Sequence, residues 1–285
     1  MALGFEELEL GFHTTLFQVK GFKSRLDQIP VGSIHAFCPV PISAPQGYPE
    51  LYLLASFDEE GRKMARLQVR RNVEFAADMG ADTVVLHAGR VGFDAFFDRL
   101  DTQRLRELFK CADHRADDRK FAKAFARASR RRLRRGAKLL GVFRRELEEL
   151  VPVLERHNVT LALENLPYYE GFPLPEELRE ILSWNLGDRI RGWYDTGHAR
   201  VCQMNGWQAA PHAPIPDPSA FAGMHLNDVE AFDDDHFAPG MGQVDFAALK
   251  TFAERVRHVV FEPNAGVKAS ELKRGVDHIR KLWNL

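Results

Sequence analysis

Arg191-Gly192-Trp193-Tyr194-Asp195-Thr196-Gly197-His198-Ala199-Arg200 reads as a buried strand that ends in charge. Trp193 and Tyr194 suit a strand interior, and Asp195 and His198 arrive where that strand should stop. Four other apolar runs finish in the same way: Val84-Val85-Leu86-His87, Leu161-Ala162-Leu163-Glu164-Asn165, Met224-His225-Leu226-Asn227-Asp228 and Val259-Val260-Phe261-Glu262. An ionised carboxylate is costly to bury unless it is paired or metal-bound. Several strands that each deliver one at the same end therefore imply a shared counter-charge, and a metal ion is the simplest.

Working outward, Glu164, Asp195, His225 and Glu262 follow one another at roughly 30 residues, the last gap being somewhat longer, which is the length of a βα unit. Gly4 to Phe12 alternates apolar and acidic residues as a half-buried strand does, and Gly32 to Phe37 is a second candidate with His35 near its end. A proline-rich loop through Pro39, Pro41, Pro45 and Pro49 follows. Helical spacing of Met64, Leu67, Val73 and Ala76 predicts a helix over 59–79 with Gly80 as terminator, leading into a strand at Thr83 to Gly89. The segment Ser270 to Leu285 closes the chain as a helix. The pattern is an α/β fold, a TIM (β/α)8-type barrel in one domain over residues 1–285. Only seven strands are countable, so either the first is lacking or one lies between His13 and Ile29.

Residues from about 90 to 158 interrupt the repeat as a long, charged helical insertion. It carries Phe93, Phe96 and Phe97, which could line a lid or simply pack, and the run Arg130-Arg131-Arg132-Leu133-Arg134-Arg135, read as a solvated helix face. The insertion also offers a place for contact between subunits of a homo-oligomer.

The 285 residues are 45% hydrophobic and 28% charged, with a formal net charge of -1, so no overall basic field exists to attract nucleic acid or an anionic membrane. Cys38, Cys111 and Cys202 are scattered and odd in number, which points to a reducing compartment. With no signal-peptide pattern and no apolar run of membrane-spanning length, a cytoplasmic location is expected.

Together His35, His87, Glu164-Asn165, Asp195-Thr196-Gly197-His198, His225-Leu226-Asn227-Asp228, Asp234-Asp235-His236 and Glu262 resemble the xylose-isomerase-like TIM-barrel superfamily. That superfamily, also called AP endonuclease family 2, holds metal-dependent sugar isomerases and epimerases as well as endonuclease IV. The isomerase and epimerase branch implies one divalent ion held by Glu164, Asp195, His225 and Glu262. Glu164 and Glu262 would double as the catalytic acid/base pair, with His198 and His87 on the substrate. The endonuclease branch implies the same four ligands plus His35, His87, His198, Asp234 and His236 around three zinc ions. Where both branches usually have Gly-Glu-Gly, this chain reads Gly240-Met241-Gly242. Met241 can do no acid/base work, which makes a barrel that has lost its chemistry the third reading.

Charge separates the first two. The nine candidates are five histidines and four carboxylates. One divalent ion leaves the mouth at about -2, suited to a neutral small sugar or hydroxy-carbonyl compound. Three leave it at about +2, suited to a phosphodiester and hence to DNA. Mixed oxygen and imidazole donors accept Mn, Mg, Co or Zn. Singly, each residue has a plainer reading: His35 or His87 as a hydrogen-bonded structural histidine, Asp195 or Glu262 as a helix cap, and Asn165, Asn227 and Asp228 as supports for loop backbone. His212, His258 and His278 lack motif company and are read as structural.

Overall fold

A computed structural model describes residues 3–91, 105, 119–205, 217–230 and 236–285. The elements run β1 (Leu8–Leu10), α1 (Leu16–Lys23), β2 (Val31–His35), α2 (Glu59–Met79), β3 (Thr83–Leu86), β4 (Gly89–Arg90) and α3 (Arg119–His157). There follow β5 (Thr160–Glu164), β6 (Gly171–Phe172), α4 (Pro175–Ser183), β7 (Ile190–Asp195), α5 (Thr196–Met204), β8 (Phe221–Leu226), α6 (Lys250–Ala253), β9 (His258–Phe261) and α7 (Ala269–Trp283). Seven strands form one sheet in the order β1-β2-β3-β5-β7-β8-β9, with every neighbouring pair parallel. Parallel neighbours need long crossovers, and the helices between the strands supply them. The result is a nearly closed α/β barrel of TIM type, and β4 and β6 add a short antiparallel pair beside the mouth.

The region from His13 to Ile29 holds α1 and no strand. Its start is set by Thr15, whose side chain accepts the Gln18 N–H while the Gln18 side chain accepts the Thr15 N–H. The repeat thus opens at β1, and among the described residues β1 and β9 are sheet edges with no ladder between them. Side chains bridge this seam instead: the Phe5 and Phe261 rings meet edge-on at 5.4 Å, and Glu7 Oε2 lies 3.4 Å from His258 Nδ1.

Helix α2 runs as its periodicity predicts, with Glu59 and Glu60 in the first turn and a left-handed Gly80 ending it. Within the predicted insertion, Phe93, Phe96 and Phe97 lie outside the described residues, as does much of 92–118. The remainder is the single helix α3, whose row Leu139, Phe143, Leu147, Leu150 and Leu154 is buried in the main core with Val69 and Val73 of α2. Glu146 of α3 completes this layer by accepting a 2.9 Å hydrogen bond from Arg62. The arginine run is not all a solvated face: Arg132 is buried and donates 2.7 Å to Glu177 on α4, and the Arg135 guanidinium lies 5.1 Å over the Phe57 ring.

Period-two alternation then determines what fills the barrel. Val85, Ala162 and Trp193 form a buried interior cluster with Val260 packed against it, and two residues further along each strand stand His87, Glu164, Asp195 and Glu262. The site therefore lies on a hydrophobic floor at the C-terminal strand ends, where barrels of this type carry their chemistry.

Candidate metal centre

Eight of the nine predicted positions lie in described residues, and the barrel brings all eight together; Asp234 lies outside them. They form three overlapping groups whose ligating atoms lie within 4.8 Å of one another: His35, His87 and Glu164; Glu164, Asp195, His225 and Glu262; and Asp195, His198 and His236. Glu164 belongs to two groups, and so does Asp195. The parallel register does this, since Asp195 pairs with His225 across β7 and β8 while β5 delivers Glu164 beside them.

The imidazoles are anchored from outside the cup. Nδ1 of His35 donates to Ala36 O at 2.8 Å, Nδ1 of His198 to Asn165 O at 2.8 Å, and Nδ1 of His236 to Glu262 O at 2.9 Å. Nε2 of His225 faces Glu9 Oε1 at 2.9 Å, and Nδ1 of His87 faces Glu50 Oε1 at 3.7 Å. Such outer partners fix which ring nitrogen faces inward, as they do for metal-bound histidines.

What the inner nitrogens meet is unusual. Nε2 of both His35 and His87 stands 3.1 Å from Glu164 Oε2. Nδ1 of His225 stands 3.1 Å from Glu262 Oε2, 3.3 Å from Glu164 Oε1 and 3.6 Å from Asp195 Oδ2. A neutral imidazole has one N–H, yet His35 and His225 meet oxygen acceptors within hydrogen-bond distance at both nitrogens. Each ring then requires either a second proton or a cation between itself and the carboxylates. Among the described residues, the ionic partners of Glu164 are four imidazoles and no lysine or arginine. The donor set therefore fits a divalent ion in the tetrad, and its oxygen and imidazole mixture is one that Zn, Mn, Co and Mg accept.

The metal-free electrostatics agree. Burial opposes charge on His87, but the Glu164 carboxylate, helped by Glu50, outweighs it and lifts the imidazole to about 9. Burial likewise opposes charge on His225, and Glu262, Glu9 and Glu164 carry it well above the ordinary range. Burial would raise Glu164, yet His87 and His225 hold it well below its usual value. Glu262 goes the other way: burial and the neighbouring Glu164 raise it despite His225.

Asp195 fulfils the plainer reading as well, capping α5 by accepting the His198 N–H at 2.6 Å while Asn227 donates to its other oxygen at 2.6 Å. Asn165 is locked to the Asp195 backbone in both directions, at 2.8 and 3.0 Å. Asp228 accepts N–H groups from Val229, Gly240, Gly242 and Val244 at 2.8–3.0 Å and so folds the loop that carries Met241. Gly240 has φ +86, and a Cβ on Gly242 would sit 2.3 Å from Val229 O. The Gly-X-Gly pattern is thus required by the wrapped carboxylate, whatever X is. Met241 itself is exposed. His258 is structural, 2.8 Å from Asp82, and Cys38 is buried, its thiol pushed by burial up to about 12.

Two residues escaped the sequence reading. Glu9 is one of three acids in Glu6-Glu7-Leu8-Glu9, and only the register of β1 on β2 turns it into the barrel. Glu50 sits in a proline-rich loop with no periodicity to betray it; there it pairs ionically with Arg90, its Oε2 2.6 Å from Nε, with the Arg90 guanidinium stacked 3.6 Å over Tyr168.

Comparison with known proteins adds to this. The solved structure of a D-tagatose 3-epimerase-like protein superposes with a TM-score of 0.65 at 16% identity, covering 99% of this chain and 89% of that one. A 3-keto-D-glucoside 4-epimerase from E. coli gives 0.63 at 17% identity, covering 98% and 90%. A Thermus thermophilus protein soaked with zinc chloride gives 0.57 at 19% identity, covering 98% and 97%. At such identities the likeness is one of fold. No functionally curated protein matches the chain by sequence. A family model described as xylose isomerase-like TIM barrel matches residues 2–282, and with the parallel barrel and its rim of acids and imidazoles already in view, the chain belongs to that family.

Proposed function

We propose that this chain is a divalent-metal-dependent isomerase or epimerase that moves a proton on a small sugar or related hydroxy-carbonyl compound. The observation that carries the reading is the convergence of Glu164, Asp195, His225 and Glu262 on one centre, with Glu262 the open member at 24% side-chain exposure against 1% for Glu164. Bound there, the ion would polarise a carbonyl and its neighbouring hydroxyl and so acidify the C–H between them. Glu262 faces the mouth and takes the C–H proton; giving that proton back to the neighbouring carbon completes an isomerisation, and an epimerisation needs a second proton, drawn from solvent, on the opposite face. His198 and His87, with ring centroids 5.9 Å apart, supply hydrogen bonds for substrate oxygens. The floor of Val85, Ala162 and Trp193 excludes water from below. Among the described residues, Arg90, which shares Glu50 with His87, is already engaged by Glu50 and by Tyr168, in keeping with a neutral ligand.

Solvent deuterium should enter a ketose or hydroxy-ketone substrate at the carbon next to the carbonyl, and this exchange should stop in Glu262→Gln. Exchange that is absent across a panel of such compounds would count against the reading.

One observation favours a second reading. The two flanking groups, His35-His87-Glu164 and Asp195-His198-His236, each offer three donors that could hold an ion, and each shares one carboxylate, Glu164 or Asp195, with the tetrad. Three zinc ions would suit hydrolysis of a phosphodiester, as in endonuclease IV. Elemental analysis separates the two: about one ion per chain supports the isomerase, about three the phosphodiesterase.

A further inference from the structure

Glu9 sits on β1 at the seam, with β2 and β3 between it and the strand of Glu164, yet it reaches the tetrad from behind. Its Oε1 lies 2.9 Å from His225 Nε2, and its Oε2 accepts the Ser33 hydroxyl at 2.6 Å. Its own side chain keeps only 6% exposure, and the His225 ring, at 0%, is closed to water. The ring is also held in plane: Trp193 meets it edge-on at 5.0 Å, and His35 stacks on it at 6.0 Å with 9° between planes. Packing thus settles where the ring lies but not which of its nitrogens carries the proton. Glu9 settles that.

We propose that Glu9 is the positioning residue of the metal centre, accepting the Nε2–H of His225 so that the Nδ1 lone pair is presented to the ion shared with Glu164, Asp195 and Glu262. Ser33 holds the second Glu9 oxygen and so fixes the carboxylate's own rotation. Glu50 behind His87 is a weaker counterpart, since its carboxylate lies 3.7 Å from that ring and is shared with Arg90 at 2.6 Å. Removal of an outer-shell partner of this kind costs metal affinity about 10–100-fold. The inference rests on metal binding by the tetrad, and its test separates the two.

The experiment is a Zn2+ titration of the full chain against a competing chelator, with wild type, Glu9→Leu and Glu9→Gln compared, and folding checked by circular dichroism. Leucine removes the acceptor at similar volume, whereas glutamine keeps an oxygen able to accept the Nε2–H. Glu9→Leu should lose about 10–100-fold in affinity at the tightest site, and Glu9→Gln should return to within a few-fold of wild type. Wild-type affinity in a folded Glu9→Leu chain, or a Glu9→Gln chain as impaired as Glu9→Leu, overturns the proposal. A wild-type chain that takes up no Zn2+ removes the function proposed above, and this inference with it. Should Glu9→Leu not fold, Ser33→Ala carries the test: a few-fold loss of affinity supports the role, and unchanged affinity overturns it.

Discussion

The barrel has a closed wall and an open seam, and the two treat their residues differently. Strand β3, in the wall, is buried at every position, and Glu164 at the end of β5 keeps 1% exposure. Strand β9, at the seam, buries His258 but leaves Val259 36% exposed and Phe261 half-buried. A cleft of about 1050 Å³ runs along it between Phe5, Val259, Phe261 and Trp283 and reaches Glu9 and Glu262 at its inner end. The same strand-end chemistry is thus delivered twice: once by a rigid, dry wall and once by a strand with solvent on one side. In the function proposed above, the wall would hold the ion and the seam would supply the carboxylate that exchanges a proton with the substrate.

That division can be broken at its strongest point first. Glu164→Gln should abolish measurable metal uptake, with a loss of about 100-fold or more in affinity, because two ligand groups share this carboxylate. Uptake left intact would mean that the wall is not the holder. Glu262→Gln should instead lower turnover about 10²- to 10⁴-fold while costing less metal affinity than Glu164→Gln, read from kcat beside a chelator titration. The reverse ranking would exchange the roles of wall and seam.

Packing offers a sharper contrast without any ion. Trp193→Ala removes the largest side chain of the barrel floor and should cost about 3–5 kcal/mol in denaturant unfolding, whereas Val259→Ala at the seam should cost less than about 1 kcal/mol. Equal costs would show that the seam is covered in solution.

The smallest expected effect is on pH. In the chelator-treated chain, His87 is raised from 6.5 to about 9, so its contribution is fully present below about pH 6.5 and is lost as pH climbs through 9. Glu164 and Glu50 are depressed, so their contribution is present above about pH 4.5 and fades as acid is added. Melting temperature should therefore be highest between these limits and fall by a few degrees on the alkaline side. A melt that rises from pH 7 to 9.5 would contradict the pairing of His87 with Glu164.

Much of this was legible in the residues because parallel barrel strands are buried on both faces and announce their ends by a change from apolar to ionisable. That signal located β3, β5, β7, β8 and β9 and the acids and imidazoles that gather at their ends. It failed where side-chain chemistry depends on register: β1 is three residues long, and Glu6, Glu7 and Glu9 look alike until pairing with β2 chooses one. It failed also for Glu50, which a loop carries in, and for Arg132, whose neighbours in the basic run are largely solvated while it turns inward to Glu177. The β4–β6 pair, two residues a side, is too short for any periodicity to reveal.

The turn wrapped around Asp228 has a practical corollary. Its shape is dictated by main-chain amides and by two residues without side chains, so the methionine between them is a passenger that solvent already surrounds. Exchanging it for an acid, as in Met241→Glu, is a graft onto finished scaffolding that leaves the turn itself unchanged.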